Sequence, residues 1–492
     1  MKKIIRIIKR LSKPEYLLLI LILFIALWAR LYKIDNPIAD WHSWRQADTA
    51  SVTRFYVQNG IDLLRPRYLN ISSSATGYEN PKGYRFVEFP VFNAVHALLY
   101  QAFPSWSLER WGRLITAATS LISLFFIYLI GKRFLGTPVA LLAALFFAVL
   151  PFNIYFSRVI LPDPLTVTVA LASVWFFIWW IDTERSWKLF TSAFFFATAL
   201  LLKPYIVFYG IPMLYLVVTK YGVWGAVKEA KLWMFFCLSL IPVFFWRAWM
   251  GYDYYFVGIP FWEWAFNGDE IRFKPSFWWW IFGQRLGQLI LGGWALVPFV
   301  IGLLSPSRGK FPWFVHSMLA GQLLYIAVVA TANVRHDYYQ TLLIPAIVFP
   351  LANGTYLLWR LRAFNQLLTR VAVLGVLAAG LAFSFYQIKE FYKVNHPEII
   401  IAGAAADRLI PKDAKIIAPY NGDTAFLYQT KRQGWPFVTL PMDQMISRLG
   451  AQYYVAIPAQ QNPTKFDKQT EEIMEKYQVV EKTDQYVVVK LQ

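Results

Sequence analysis

The chain has 492 residues, of which 57% are hydrophobic, 18% aromatic and only 16% charged, against about a quarter charged in ordinary soluble domains. Many runs reach the ~18 apolar residues that a bilayer crossing needs, which excludes a soluble globular protein and points to a polytopic membrane protein. The net charge of +19 sits in short loops between apolar runs, the pattern of the positive-inside rule and not of nucleic-acid binding.

The N-terminus, MKKIIRIIKRLSKPEY, is basic, and a long apolar run follows it. A signal peptide would begin similarly, but the run is long and lacks a small-residue cleavage site, so it reads as a retained helix with a cytoplasmic basic end. The other basic loops are 131–136, 182–188, 220–231, 305–310 and 359–370. They place spans near 16–32, 114–130, 138–156, 164–181, 189–202, 204–219, 232–249, 283–304, 312–331, 338–358 and 371–388. That is eleven, with the C-terminus outside. The run 91–103, which holds His96, is too short to span at ~1.5 Å per residue and reads as interfacial or re-entrant. Cys237, the one cysteine, allows no internal disulfide and no thiolate cluster.

This topology leaves two long outer loops, 34–109 and 250–281, and short outer segments at 156–164, 333–340 and Lys203–Pro204. After residue 390 the composition changes. AKIIAPY, AFLYQT, YYVAIP and YVVVKL read as strands; HPEIIIAGAAADRLI and KFDKQTEEIMEKY read as helices. The expected class is an α-helical polytopic membrane protein, with a transmembrane domain over 1–390 and a small extracytoplasmic α/β domain over 391–492.

The outer segments concentrate ionisable residues. The first loop opens with DWHSWRQADT (40–49), and RQADTASVTRFYVQNG reads as an amphipathic helix ending at Gly60. Asp48, Val52, Phe55 and Asn59 share one face of it. Asp48 is there either to do chemistry or to pair locally with Arg45 or cap the helix. Trp41 and Trp44 suit interface anchoring or sugar stacking. Glu88 precedes Phe89–Pro90, Asp163 opens a span in LPDP, Lys203 interrupts an apolar run, and Arg335, His336 and Asp337 precede another span. Each has a plain explanation alone, as cap, snorkelling lysine or dipole partner. Their gathering on one face suits a lipid-phosphate sugar donor: cations for the leaving phosphate, a carboxylate for the acceptor's proton, and an apolar groove for the tail.

These residues resemble those of a multi-pass glycosyltransferase of the GT-C class. The similarity is to the dolichyl-phosphate-mannose protein mannosyltransferase and lipid A aminoarabinose transferase group (family 39-like). It runs from about residue 14 to 360, through WRQADTASVTRFYVQNG, VEFPVF, GRLITAATSLISLFFIYLIGKRFLG with the following ALLAALFFAVLPFNIYFSRVILPDP, and HDYYQTLLIPAIV. The resemblance implies an inverting transfer from a polyprenyl-phosphate sugar to a protein, lipid or glycan acceptor on the outer face of the plasma (inner) membrane. It implies an acidic base in the first outer loop, Asp48 first and Asp40 second. The family's Glu-Lys-Pro element stands here as Glu88–Phe89–Pro90, so Arg45, Arg67, Arg85, Lys203 or Arg335 would take the phosphate. Trp44, Glu88, Asp163, His336, Asp337 and Tyr338 would line the site. A divalent metal occurs in some members, and Glu88 with His42 or His336 would be its ligands here. A transporter or flippase of lipid-linked saccharides is the second reading, and it would want charges at mid-membrane. A non-catalytic assembly protein is the third.

Overall fold

The computed structural model describes residues 13–73, 77, 79–253, 264–307, 309–459 and 465–492. The basic segment 1–12 and part of the second outer loop, 254–263, lie outside the described residues. The chain divides into two compact units: Met1–Tyr32 with Leu114–Lys389, and Lys33–Arg113 with Glu390–Gln492.

The first unit is helical. Helix occupies every stretch expected to span, and five helices among the described residues are long and apolar enough to cross a membrane on their own. Four more are apolar but shorter: Thr137–Val149, Ser186–Leu202, Phe314–Val328 and Ile344–Trp359. Prolines open many of them, as in Pro14–Arg30, Thr137–Val149, Asp163–Thr183 and Ile344–Trp359, because an N-terminal N–H has no helical partner to lose. Asp163–Thr183 is 78% buried over its apolar window, whereas Ala230–Gly251 is 17% buried. The first is a central helix, and the second turns most of its apolar surface outward, as a lipid-facing helix does.

Several expected spans are broken. The run 138–156 is split into Thr137–Val149 and Pro151–Phe156, because Pro151 cannot continue the ladder. Arg30, fully buried on the first helix, closes the break. Its guanidinium donates to the carbonyls of Phe147 (3.3 Å) and Ala148 (3.2 Å), to Ser157 Oγ (2.7 Å), and to its own Ala26 carbonyl (2.9 Å). The carbonyls stranded at a helix end thus find donors without water. The run 283–304 is likewise divided, into a π-helix, Trp279–Ile290, and the helix Leu296–Leu303, with Gly292 and Gly293 both at positive φ between them. Helices Leu296–Leu303 and Ile344–Trp359 meet backbone to backbone. A Cβ on Gly302 would lie 1.8 Å from the Pro350 carbonyl oxygen, and one on Gly354 would lie 1.8 Å from that of Pro298. Close approach of this kind is how helices associate in lipid, where no hydrophobic difference drives them together.

The second unit joins the first outer loop to the C-terminal segment. Helix Ser43–Asn59 ends at Gly60 with φ +88 and packs on Val91–Ala102 through Val52, Tyr56 and Ala97. His96 lies between them, bonded to Thr53 Oγ1 (3.1 Å) and the Leu108 carbonyl (2.6 Å). Burial holds this imidazole at a pKa of about 4, so it is neutral near pH 7. The C-terminal segment forms a five-stranded sheet in the order β2-β1-β3-β5-β4, with β1 Ile416–Ile417, β2 Gly434–Trp435, β3 Tyr453–Ala456, β4 Gln478–Lys482 and β5 Val487–Lys490. Strands β2, β1 and β3 are parallel, and β5 is antiparallel to its neighbours. AFLYQT, expected as a strand, is instead the helix Thr424–Thr430. It is buried on nearly all sides, so no two-residue alternation exists to mark it, and the Asp423 carboxylate caps it by accepting from Ala425 N–H (2.7 Å).

The outer loop adds to this sheet. Ile71 N–H donates to the Gly434 carbonyl (2.9 Å), Gly434 N–H donates to the Leu69 carbonyl (3.0 Å), and Ile71 enters the core with Trp435, Tyr454 and Val487. The edge of β2 is thereby covered. A Cβ at Gly434 would sit 1.8 Å from the Ile416 carbonyl oxygen. Gly434→Ala is therefore expected to cost about 1–3 kcal/mol. Thermal melting checks this, and a variant melting with the wild type would show that the strands are not packed this closely.

Candidate functional site

Helix Ser43–Asn59 carries the central carboxylate. The sequence suggested one apolar stripe on it, but residues Arg45–Thr53 are buried on every side, so its first half is a core element and its polar groups need partners. Arg45 pairs with Glu88. Gln46 Nε2 donates to Asp40 Oδ1 (2.6 Å), and Arg113 meets Asp40 Oδ2 at 3.3 Å, with both side chains of that pair fully buried. Asp40 is thus enclosed between a guanidinium and an amide. Asp48 is placed differently. Arg85 Nη2 lies 2.8 Å from its Oδ2, Thr424 Oγ1 donates to its Oδ1 (2.7 Å), and the side chain borders a cavity. Asp48 is paired with neither Arg45 nor a helix end, the two structural roles open to it from sequence.

The cavity has a volume of about 340 Å³, near the lower end for small-molecule sites. Trp44, Asp48, Tyr68, Asn70 and Arg85 line it from the outer loop, and Asn421, Gly422, Asp423 and Thr424 line it from the C-terminal segment. The Arg85 guanidinium lies 5.1 Å from the centre of the Tyr68 ring, and burial pushes the Tyr68 hydroxyl up to about 12. Burial, helped by the charge of Asp48 and opposed by the Ala425 N–H, pushes the Asp423 carboxyl up to about 6. The arrangement offers a carboxylate able to take a proton, a guanidinium able to meet an anion, and an indole and amides suited to a polyhydroxylated ligand. Arg67 lies off this cavity, bonded to the Tyr84 hydroxyl (3.2 Å).

The first unit holds its own charged cluster. Asp163 opens the helix Asp163–Thr183, and Lys203 ends Ser186–Leu202, where Pro204 stops the regular ladder. Both side chains are almost fully buried, with Nζ 3.4 Å from Oδ1. The ammonium is 5.8 Å from the centre of the Tyr338 ring and 5.3 Å from that of Tyr339, within cation–π range. Arg285 is 3.5 Å from Asp337, and His336 stacks on Tyr338 with centroids 5.4 Å apart. Arg335, by contrast, is largely exposed and stands 3.9 Å from Asp269.

Glu88, His42 and His336 are the residues expected to hold a metal. Glu88 is engaged by Arg45, His42 meets Trp41 edge-on at 5.2 Å, and His336 stacks on Tyr338. Among the described residues no group of three or more His, Cys, Asp or Glu side chains gathers to hold an ion.

Several residues of the charged cluster and of the cavity escaped the sequence reading. Arg285, inside an apolar run, carried a usable signal, because a charge within a span is a functional candidate by default. Asn421, Asp423 and Thr424 carried none, since their place beside Asp48 depends on the docking of two distant segments.

Residues 89–249 match the family model of dolichyl-phosphate-mannose-protein mannosyltransferases. None of the curated protein sequences matches the chain. Among solved structures, the chain is similar to ArnT from Cupriavidus metallidurans bound to undecaprenyl phosphate, with 13% identity, 96% of this chain and 98% of that one covered, and a TM-score of 0.67. It is also similar to the oligosaccharyltransferase of Archaeoglobus fulgidus in complex with Zn and sulfate, at 10% identity, 89% and 68% coverage and a TM-score of 0.58. The same archaeal enzyme, AglB, with an inhibitory peptide and a dolichol-phosphate gives 10% identity, 90% and 69% coverage and 0.55. By sequence over residues 89–249, and by fold over nearly its whole length, the chain is similar to the GT-C glycosyltransferases.

Proposed function

We propose that the protein is a membrane glycosyltransferase that moves a sugar from a polyprenyl-phosphate donor to an acceptor hydroxyl or amine with inversion. The observation that carries this reading is Asp48: a carboxylate bordering a cavity, with a guanidinium at 2.8 Å. The family match and the shared fold support it. In the transfer, the acceptor's O–H or N–H proton passes to Asp48 as the acceptor atom attacks the anomeric carbon. The bond from that carbon to the phosphate oxygen breaks, and its electron pair leaves with the polyprenyl phosphate. The charge developing there is met by Arg85, whose five donors let it hold Asp48 and a phosphate oxygen together.

The site lies on the extracytoplasmic side of the inner membrane in this reading, with the N-terminus cytoplasmic. The assay is transfer from undecaprenyl-phosphate mannose, glucose or aminoarabinose by the full chain in proteoliposomes, followed as released undecaprenyl phosphate. Arg85→Ala is expected to raise the donor KM at least tenfold, in keeping with the loss of a charge-assisted contact of about 1.5–3 kcal/mol. Failure of every such donor to react would sink the reading. A reporter fused after residue 400 and found in the cytoplasm would overturn the orientation.

A further inference from the structure

We propose that Thr424 is a positioning residue for the carboxylate of Asp48, so that the C-terminal segment completes the transfer site. The inference rests on Asp48 being the base. Asp48 has two oxygens, and both are held: Oδ2 by Arg85 at 2.8 Å and Oδ1 by the Thr424 hydroxyl at 2.7 Å. With both oxygens fixed, the plane of the carboxylate is fixed, and with it the direction of the lone pair that receives the acceptor's proton. Thr424 comes from a part of the chain 376 residues away. It stands in the first turn of helix Thr424–Thr430, whose cap is Asp423.

This helix is pinned to the outer loop by contacts that do not involve Thr424. Arg54 Nη1 donates to the Tyr428 carbonyl (2.7 Å), and its guanidinium lies 3.9 Å from the centre of the Tyr428 ring. Gln429 Nε2 donates to the Ile38 carbonyl (3.0 Å). The Thr424 hydroxyl also lies 3.1 Å from the Trp44 carbonyl, so it spans the helix that carries Asp48 and the carboxylate itself. Arg85, Asp423 and Tyr68 are the titratable groups around Asp48 in this cavity.

The test uses the full chain. A positioning group acts on the proton-transfer step and not on donor binding. With undecaprenyl-phosphate mannose as donor, Thr424→Val is expected to lower kcat about tenfold while the donor KM stays. Thr424→Ser, which keeps the hydroxyl, should restore kcat. Should Thr424→Val not fold, Thr424→Ala carries the same comparison. A kcat unmoved in a folded variant, or a loss that Thr424→Ser does not restore, would overturn this inference alone. Transfer that survives in Asp48→Asn would overturn the base assignment, and this inference with it.

Discussion

Asp48→Asn is expected to lower transfer by about 10²–10⁴-fold while leaving the fold intact, the range for loss of a positioned general base. The amide keeps the size of the carboxylate, and its oxygen still accepts a hydrogen bond from Thr424 or Arg85. What it loses is the capacity to take a proton at neutral pH. The measurement is kcat for sugar transfer in proteoliposomes alongside the melting temperature of the purified variant. A variant with wild-type melting and more than a tenth of the wild-type rate would remove Asp48 from the chemistry.

Asp40→Ala is expected to fail differently. Its carboxylate neutralises Arg113, and both side chains are fully buried. Removing one partner of a buried ion pair strands the other charge and costs about 3–5 kcal/mol. The expected result is loss of folded protein, seen as poor recovery from detergent extraction and a lowered melting temperature. Whatever folds should keep near wild-type kcat. A stable, well-folded Asp40→Ala protein with no transfer would reverse the assignment and make Asp40 the base. The two substitutions together therefore separate an aspartate that does chemistry from one that holds the loop.

The membrane helices were legible in the sequence because an apolar run of bilayer length is a long, strong signal. Their breaks were less so. Pro151 marked one break openly, but the answering donor, Arg30, lies on another helix and has the sequence signature of any intramembrane charge. The default reading of such a charge as functional fails there, because its role is to cap a broken helix. Asp48 stood out as an acid on a helix beside the membrane, and the structure gave it a cavity and a guanidinium. The strand Gly434–Trp435 is two residues long, too short for any periodicity, and its partner on one side is the loop segment Leu69–Ile71. Thr424 and Asp423 were invisible for the same reason: local pattern says nothing about which distant segment arrives beside a residue.

The second unit is built from two stretches separated by the whole run Leu114–Lys389. A chain emerges from the ribosome N-terminus first, so Asp48 and Arg85 are made long before Thr424, and Ile71 long before the strand it pairs with. The outer-loop half must wait, its β2-pairing edge unmatched, until the intervening helices have been inserted. The pocket at Asp48 therefore closes only on a full-length, correctly threaded chain. A protein truncated or mis-inserted partway would carry Asp48 without the Thr424 hydroxyl that bonds it.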